Sequence, residues 1–439
     1  MKDLYDHKKT IYLTSDTKGS PSLRNIYGSL NALLKVVLTE GFNSTSVLGS
    51  DLDIDSRVLT LTLNLNHGFR LNHVIQLSGS SQADLEGSYR ILESGGTYIK
   101  IRLEDSFVEN TINSPETLVV KIAPLGYSIA YENLEEGVVC FKNSSTKSPA
   151  ILKVIDKLPP NGYLDTWSKY ARVVIGQEID SEGNFKDNFK APFWPKYPDS
   201  EKIGNEVSGA GGIHGFAKWD YAINSSNSDT TEVNTVRGSY PTDWKIIGDS
   251  TSFYLMIRPQ GSGNYSYNLL GFGNYVSENS SETFNVCLQA RDGSFASNSS
   301  TGNNYARTKN EFGVLGATNG GFILASIQGT YSSYFGYYSC QGLYLGANNP
   351  ARPWSAIDIN SYNTASSNIV TSPIFIKDYD NYMRGYHRGI KLFYGKGQLS
   401  DGSLSINGDL ILYVQTPLSS SNYETMPLLF TLKDWETIE

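Results

Sequence analysis

The sequence predicts a mainly β protein with an N-terminal helix, a small β-barrel or β-sandwich module, and one or more larger antiparallel β-sandwich domains. Three observations lead to this fold class. The 29 Tyr outnumber the 6 Trp and 18 Phe, which suits half-exposed sheet faces where a ring packs and its hydroxyl stays hydrated. Apolar and polar residues alternate over short stretches, as in strands. Ser, Asn and Gly fill the segments between these stretches, as in turns.

The one convincing helix is expected near the N-terminus. Ser20 suits its cap, Pro21 its first position and Gly41 its end. Apolar residues recur with the spacing of one helical face at Leu23, Ile26, Tyr27, Leu30, Leu33, Leu34, Val37 and Leu38. The helix either packs into the core or attaches to a neighbouring subunit. The attaching side chains would be Leu23, Tyr27, Leu30 and Leu34.

A small β module is expected over residues 46–124, after an N-terminal arm and helix at 1–45. The sequence VLTLTLNL at 58–65 places its leucines on one face and Val58, Thr60, Thr62 and Asn64 on the other. Four more strands of this module are expected at 74–77, 89–92, 98–103 and 118–122. So many short strands in so few residues are typical of a small barrel or sandwich.

Two further β units are expected after the module. Residues 125–212 form a second unit with strands at 127–132, 138–142, 150–155 and 171–177. Residues 213–439 form a large sandwich rich in Tyr, Ser, Asn and Gly. Its strands are expected at 244–247, 253–258, 266–272, 283–290, 321–327, 342–345, 374–377 and 410–414.

Charge and cysteine content exclude several classes of protein. A net charge of −8 and a pI near 5.3 argue against a nucleic-acid partner, which needs a basic face. Cys140, Cys287 and Cys340 lie far apart, so we expect buried thiols rather than a disulfide framework or a zinc site. The sequence has neither the apolar core of a signal peptide nor a stretch long enough to cross a membrane. We therefore expect no membrane insertion.

Catalytic and metal-binding patterns are also missing from the sequence. The best metal candidate is Asp51-x-Asp53-x-Asp55, but Ser56 and Thr62 stand where a calcium loop needs Gly and Glu. An acidic linker is the simpler interpretation. No nucleophile elbow or phosphate loop occurs, and a glycosidase pair among the carboxylates is possible only by chance. We expect no enzymatic activity, no cofactor and no metal.

Two groups of residues in the C-terminal half are candidates for binding. Aromatic rings anchor protein interfaces and stack on sugars, and an aromatic cluster includes Tyr331, Tyr334, Tyr337, Tyr338 and Tyr344. We favour strand packing plus subunit contact there over a glycan site. Arg384 and Arg388 flank His387 and form a small basic patch in an acidic protein. This patch is either an interface or a solvated loop.

A series of segments in a constant order resembles a family of virion structural proteins of tailed bacteriophages. The series begins with TSD…GSPSL…GSLNALLKVVL…GF and HGF…VIQLSG…LEGSYRI, and continues with KIAPLGYSIAYEN, ARVVIGQEID, DWKIIGDSTSFYLMI, LLGFGNY and YMRGYHRGIKLFYG. The resemblance covers nearly the whole chain. The HGF…G module is also similar to a small β domain found in ubiquitin-activating enzymes and in phage baseplate and tail proteins.

The resemblance implies a non-enzymatic structural protein of the virion. We expect a tail, baseplate or collar component that binds other virion proteins, forms a homo-oligomer and is assembled in the bacterial host cytoplasm. The alternative is a receptor-binding protein whose C-terminal sandwich contacts host surface glycans. An enzyme acting on envelope polysaccharide is a third hypothesis, which only the abundance of carboxylates favours.

Overall fold

The structure is a computed structural model, and it describes most of the chain up to residue 289 and several strands beyond. The described residues are 10–158, 165, 169–186, 190–191, 207–209, 212–214, 217–222, 241–258, 268–278, 285–289, 322–324, 336–337, 339–341, 370–377, 383–394, 402–406, 409–417 and 425–431. The predicted fold class is confirmed: the protein is mainly β, with antiparallel sheets that include a curled half-barrel, and a short helix near the N-terminus.

The helical elements are short. Helix α1 spans Ser29–Lys35 and continues as a π-helical turn, Val36–Glu40. Two 3₁₀ turns span Ala83–Leu85 and Pro115–Thr117. Within the described residues, no helix is long and apolar enough to cross a membrane.

Strands account for the rest of the regular structure. Strands β1 to β13 span Ile11–Thr14, Phe42–Ser46, Gly49–Asp53, Val58–Thr62, Val74–Ser78, Gly87–Ser94, Tyr98–Arg102, Val119–Ile122, Ser128–Asn133, Val138–Lys142, Ile151–Ile155, Lys169–Gly176 and Lys190–Ala191. Strands β14 to β29 span Val207–Gly209, Gly212–His214, Ala217–Ala222, Trp244–Gly248, Ser252–Ile257, Asn268–Asn274, Val276–Ser277, Val286–Gln289, Phe322–Leu324, Gly336–Tyr337, Ser339–Gln341, Val370–Lys377, Met383–Tyr394, Gly402–Ile406, Asp409–Pro417 and Thr425–Thr431.

These strands form four main antiparallel sheets and the hairpin β14-β15. The sheet of the small module has the order β2-β8-β5-β6-β7-β4-β3, and the next has the order β13-β12-β11-β10-β9, with β16 also paired to β12. A third sheet has the order β1-β17-β18-β19-β21-β22-β23. The fourth has the order β24-β25-β26-β29-β28-β27, with β20 also paired to β26.

The module sheet covers nearly the same part of the chain as the predicted 46–124 unit. Along β4 the leucines are buried and the alternate side chains are more exposed, so the predicted two faces are confirmed. The acidic linker expected at Asp51–Asp53 is wrong, because these residues belong to β3 and pair with β4. Asp53 instead ends the strand, and its carboxylate accepts hydrogen bonds from the backbone of Asp55 and Ser56.

The helix begins later than the sequence predicts. Ser20 and Pro21 were expected at its start, but Leu23 forms a β-bridge with Thr242, and this pairing keeps the segment extended. Gly28 precedes the first helical residue with φ of +86°, a left-handed conformation that glycine adopts without strain. The predicted end at Gly41 is confirmed, with φ of +74°.

The N-terminal arm contributes the strand β1 to the third sheet. Strand β1 pairs along its whole length with β17, so that Ile11 faces Gly248 and Thr14 faces Lys245. One contiguous cluster of buried apolar side chains runs from β1 through the module and the second unit to β21. The strands β11 and β12 are buried at every position, and they lie at the centre of this core.

Candidate protein interface

A cleft of about 390 Å³ lies between helix α1 and the turn that joins β9 to β10. The helix contributes one wall and the turn contributes another, while the end of β11 closes the floor. Its lining combines apolar surface with charges of both signs. The lining residues are Tyr27, Gly28, Asn31, Ala32, Lys35, Glu132, Leu134, Glu135, Gly137, Val139, Asp156 and Lys157.

The floor of the cleft is organised by the buried carboxylate of Asp156. Its Oδ2 accepts hydrogen bonds from the backbone N–H groups of Leu30 (2.9 Å) and Asn31 (3.2 Å). Its Oδ1 accepts a hydrogen bond of 2.7 Å from the hydroxyl of Tyr221. Because a helix start leaves N–H groups without partners inside the helix, Asp156 caps α1 from a strand more than a hundred residues away in sequence.

Burial raises the pKa of Asp156, while the hydrogen bonds from Tyr221 and the helix backbone act in the opposite direction. Burial and the neighbouring Asp156 also raise the pKa of Tyr221 well above its usual value. Since its donors engage both carboxylate oxygens, Asp156 joins α1, β11 and β16. We infer that its role is to hold these elements together, and we assign it no reaction.

A buried lysine lies near Asp156. The side chain of Lys169 is 1% exposed and forms an ion pair of 3.3 Å with Asp165. Its ammonium lies 5.0 Å from the ring centroid of Tyr27, within the range of a cation–π contact. Burial lowers the pKa of Lys169, although the charges of Asp165 and Asp156 oppose this. Tyr27 is thereby placed between a buried cation and the cleft.

The turn opposite the helix is held by several hydrogen bonds at Gly137. Its carbonyl accepts hydrogen bonds from the backbone of Asp156 (2.9 Å) and from the Asn31 side chain (2.7 Å). Its own N–H donates to Leu134. A side chain could not replace its hydrogen, because φ is +66° and a Cβ would lie 2.8 Å from the Asp156 carbonyl. The turn is therefore held against the residues that follow β11, and Leu134 projects from it with 70% of its surface exposed.

Two surface ion pairs border the cleft. Lys35 pairs with Glu132 at 2.9 Å on the helix side, and Lys157 pairs with Glu136 at 2.9 Å beside the turn. Glu135 is exposed and forms no hydrogen bond or ion pair with another described residue. Both walls thus carry positive and negative charge around an apolar centre.

The side chains predicted to attach the helix to a neighbour are mostly inside the protein. Leu23, Leu30 and Leu34 are completely buried in the core, so they cannot also contact another subunit, and attachment through them is wrong. The other interpretation of the helix, packing into the core, is the one that the structure bears out. Tyr27 alone of the four is half-buried and reaches the cleft.

The expected basic patch around His387 is also an internal feature. Arg388 is 3% exposed and donates a hydrogen bond of 3.0 Å from Nη2 to Oδ2 of Asp249. It further contacts Thr251 and Ser252, so its assignment as a solvated or interface residue is wrong. Arg384 is half-buried in β26, and its backbone carbonyl accepts a hydrogen bond from Glu278.

His387 lies inside β26, where the sequence predicted no strand. Its ring is buried, with Nδ1 3.1 Å from the Tyr254 hydroxyl and 3.9 Å from the sulfur of Cys287. Burial lowers its pKa to about 3. A histidine with so low a pKa is neutral near pH 7 and a poor base. The Cys287–His387 contact joins β21 to β26.

The other sequence-based candidates are only partly described. Tyr337 lies in β23, and nothing further is described of its side chain; Tyr331, Tyr334, Tyr338 and Tyr344 fall outside the described residues. The strand expected at 342–345 falls outside them as well. Within the described part of the chain, no group of three or more His, Cys, Asp or Glu residues is arranged to hold a metal ion.

Comparisons with known proteins add no relative. No protein-family model matches the chain, and no curated protein is significantly similar to it in sequence. The likeness to tailed-phage virion proteins therefore depends on the motifs and their order alone.

Proposed function

We propose that this protein is a non-enzymatic structural component of a tailed-phage virion, in the tail, baseplate or collar, where it binds other virion proteins. The ordered series of motifs supports the virion assignment. A structural role is supported by the internal use of the protein's buried charges. Asp156, Asp249 and Arg388 each join elements that lie far apart in sequence.

These contacts between distant elements are the observation that carries the proposal. Asp156, Asp249 and Arg388 are buried, and their contacts lie within the chain. Antiparallel sheets held together in this way give rigid surfaces, and their turns can vary without disturbing the core. We expect the protein to reach the particle from the host cytoplasm, where virions assemble.

Purified particles test the proposal. Antibodies raised against the chain should label virions of the phage that encodes it, and immunogold electron microscopy should place the label at one site on the particle. Mass spectrometry of the same particles should detect the chain in a constant ratio to a known tail protein. The proposal fails if the chain is present in infected cells but missing from intact particles.

The adhesion alternative remains a prediction about the aromatic cluster. Glycan-array binding by the purified chain, abolished by Tyr337→Ala with the fold intact, would favour it over a purely structural role. Absence of binding to host cells and envelope polysaccharide would count against it.

A further inference from the structure

The N-terminal arm, residues 10–20, contacts two different sheets. Its strand β1 pairs with β17 of the third sheet. It also contacts the loop 66–73 of the small module, where Arg70 donates hydrogen bonds to the carboxylate (3.0 Å) and to the carbonyl (3.2 Å) of Asp16. Both side chains of this ion pair are more than half exposed, so the pair by itself holds the arm only weakly. The arm thus lies as a strap across the module.

Further basic side chains fasten the arm to the module. Lys18 of the arm donates a hydrogen bond to the carbonyl of Asn66 in the loop. Arg90 of strand β6 donates to the carbonyl of Thr10 in the arm (2.7 Å) and to that of Asn72 in the loop (2.9 Å). Because Arg90 binds both segments, a movement of the loop also disturbs the contacts of the arm.

The loop ends in a turn that the ring of His73 closes. The backbone N–H of Arg70 donates to Nδ1 of this ring (3.2 Å), and the backbone N–H of His73 donates to the carbonyl of Arg70 (3.1 Å). His73 is buried, with 8% of its surface exposed. Nδ1 accepts a hydrogen bond only in the neutral imidazole, because both ring nitrogens of the charged form are donors. A protonated His73 is therefore incompatible with the turn that positions Arg70.

The charged groups around His73 come from its own turn, from β6 and from the arm. Arg70 and Arg90 are cations, and Asp16 is an anion whose pKa the Thr14 hydroxyl and Arg70 lower, so it keeps its charge in mild acid. Burial and the charge of Arg70 lower the pKa of His73 to about 4, although Asp16 acts in the opposite direction. An exposed histidine titrates near 6.5. Below that pH, opening of the turn is therefore coupled to the uptake of a proton.

We propose that the arm is a strap that acid releases: protonation of His73 opens its turn, and the arm separates from the module while β1 stays paired with β17. The pairing of β1 remains because backbone hydrogen bonds and the buried side chains of Ile11 and Leu13 hold it, and none of these groups titrates. The backbone N–H of Ser15, which donates to the carbonyl of Trp244 (2.9 Å), belongs to the part that stays attached. This switch does not depend on the virion assignment.

Hydrogen exchange of the full chain, resolved by residue with NMR spectroscopy, tests the strap. With pKa values of about 4 in the closed turn and about 6.5 in the open one, the opening equilibrium should rise about twentyfold from pH 7 to pH 5. After correction for the intrinsic pH dependence of exchange, the amides of Arg70 and His73 in the turn and of Thr17 in the arm should lose protection by about this factor. The amides of Ser15 and of strand β7 should keep theirs.

His73→Asn is the matched variant, because its side-chain oxygen can accept the Arg70 N–H but takes up no proton. Its turn and arm amides should keep their protection at pH 5. The control His387→Asn removes another buried histidine and should leave the loss in the turn and the arm unchanged.

The proposal is overturned if the turn and arm amides of wild type keep their protection at pH 5. It is equally overturned if β7 loses as much protection as the arm, because the whole protein then unfolds. A twentyfold loss in the His73→Asn protein would also overturn it, since another group would then be the trigger.

Discussion

Arg388 and Asp249 form a buried ion pair, although 139 residues separate them in sequence. The Nη2–Oδ2 distance is 3.0 Å, and the side chains are only 3% and 5% exposed. The other carboxylate oxygen of Asp249 accepts hydrogen bonds from the backbone of Thr251 and Ser252. The pair thus joins β26 of the fourth sheet to the turn between β17 and β18 of the third.

Replacing one member of this pair should be strongly destabilising. Arg388→Met leaves the Asp249 carboxylate buried without its counter-charge, and we expect the free energy of unfolding to fall by about 3–5 kcal/mol. Urea denaturation followed by tryptophan fluorescence measures the loss. The control is Arg70→Met, because Arg70 and Asp16 also lie 3.0 Å apart but are exposed. That variant should lose less than about 1 kcal/mol, and equal losses would contradict the argument.

The hydrogen bonds of Asp156 at the start of α1 predict which variants should lose more stability. Asp156→Ala leaves two backbone N–H groups without their acceptor and leaves the Tyr221 hydroxyl only the carbonyl of Ile26, so we expect a loss of about 3 kcal/mol or more. Tyr221→Phe removes the hydrogen bonds from the hydroxyl to Asp156 and to the Ile26 carbonyl and should cost about 1–2 kcal/mol. Chemical denaturation of the single and double variants checks this. The double variant should lose less stability than the sum of the two single losses, because the Asp156–Tyr221 hydrogen bond is counted in both; full additivity would show that the two side chains act independently.

Substitutions at two glycines should distinguish the cost of a strained backbone from the cost of a steric clash. Gly28 and Gly137 both have positive φ, but a Cβ on Gly28 meets no atom within 4 Å, whereas one on Gly137 would meet the Asp156 carbonyl and the Lys157 side chain. Gly28→Ala should therefore cost only the left-handed conformation, about 1–2 kcal/mol. Gly137→Ala should cost more, because the turn must also move. Thermal denaturation of the two variants gives the comparison, and a smaller loss at Gly137 would contradict the geometry.

Two buried histidines should make the protein less stable in acid. Burial lowers the pKa of His387 to about 3 and that of His73 to about 4, while both titrate near 6.5 when unfolded. Below pH 6.5 the unfolded chain therefore binds protons that the folded chain does not, so the free energy of unfolding falls as the pH falls. From pH 6.5 to 5 each histidine should account for about 2 kcal/mol.

The double variant His73→Gln, His387→Asn isolates this effect. The raised pKa of Asp156 acts in the opposite sense, because the folded chain then takes up the proton more readily, but both proteins share it. The melting temperature of wild type should fall more steeply between pH 7 and pH 5 than that of the variant. If the melting temperatures of wild type and variant fell equally with pH, the lowered pKa values of His73 and His387 would not be the cause of the acid sensitivity.

Local patterns were enough to predict many of the strands. The alternation over 58–65 predicted both the strand and its buried face, because a period of two is a property of neighbouring residues. The start of α1 was predicted wrongly for the opposite reason. Its periodicity continues back to Leu23, but the β-bridge of Leu23 with Thr242 overrides the local preference, and nothing near residue 23 encodes that pairing.

The contacts of Asp156 and Arg388 and the cleft beside α1 could not be predicted, because each depends on residues that lie far apart in sequence. Asp156 follows an apolar strand as many surface residues do, and its role depends on Tyr221 and on a helix at residue 29. Arg388 resembles a surface charge until Asp249 is placed beside it. A sequence pattern that identifies such residues would have to include positions more than a hundred apart, and a single sequence holds no such correlation.

The pairing of β1 with β17 has a consequence for how the protein is made. Strand β1 leaves the ribosome before its partner, which is synthesised more than 200 residues later. At about 5–20 residues per second this interval lasts roughly 10–50 s. The module sheet is complete at Ile122, so it has time to form while β1 still lacks its neighbour. The pairing of β1 thus waits until residues 244–248 have been made, and a ribosome stalled before residue 244 would leave that first strand exposed to other chains.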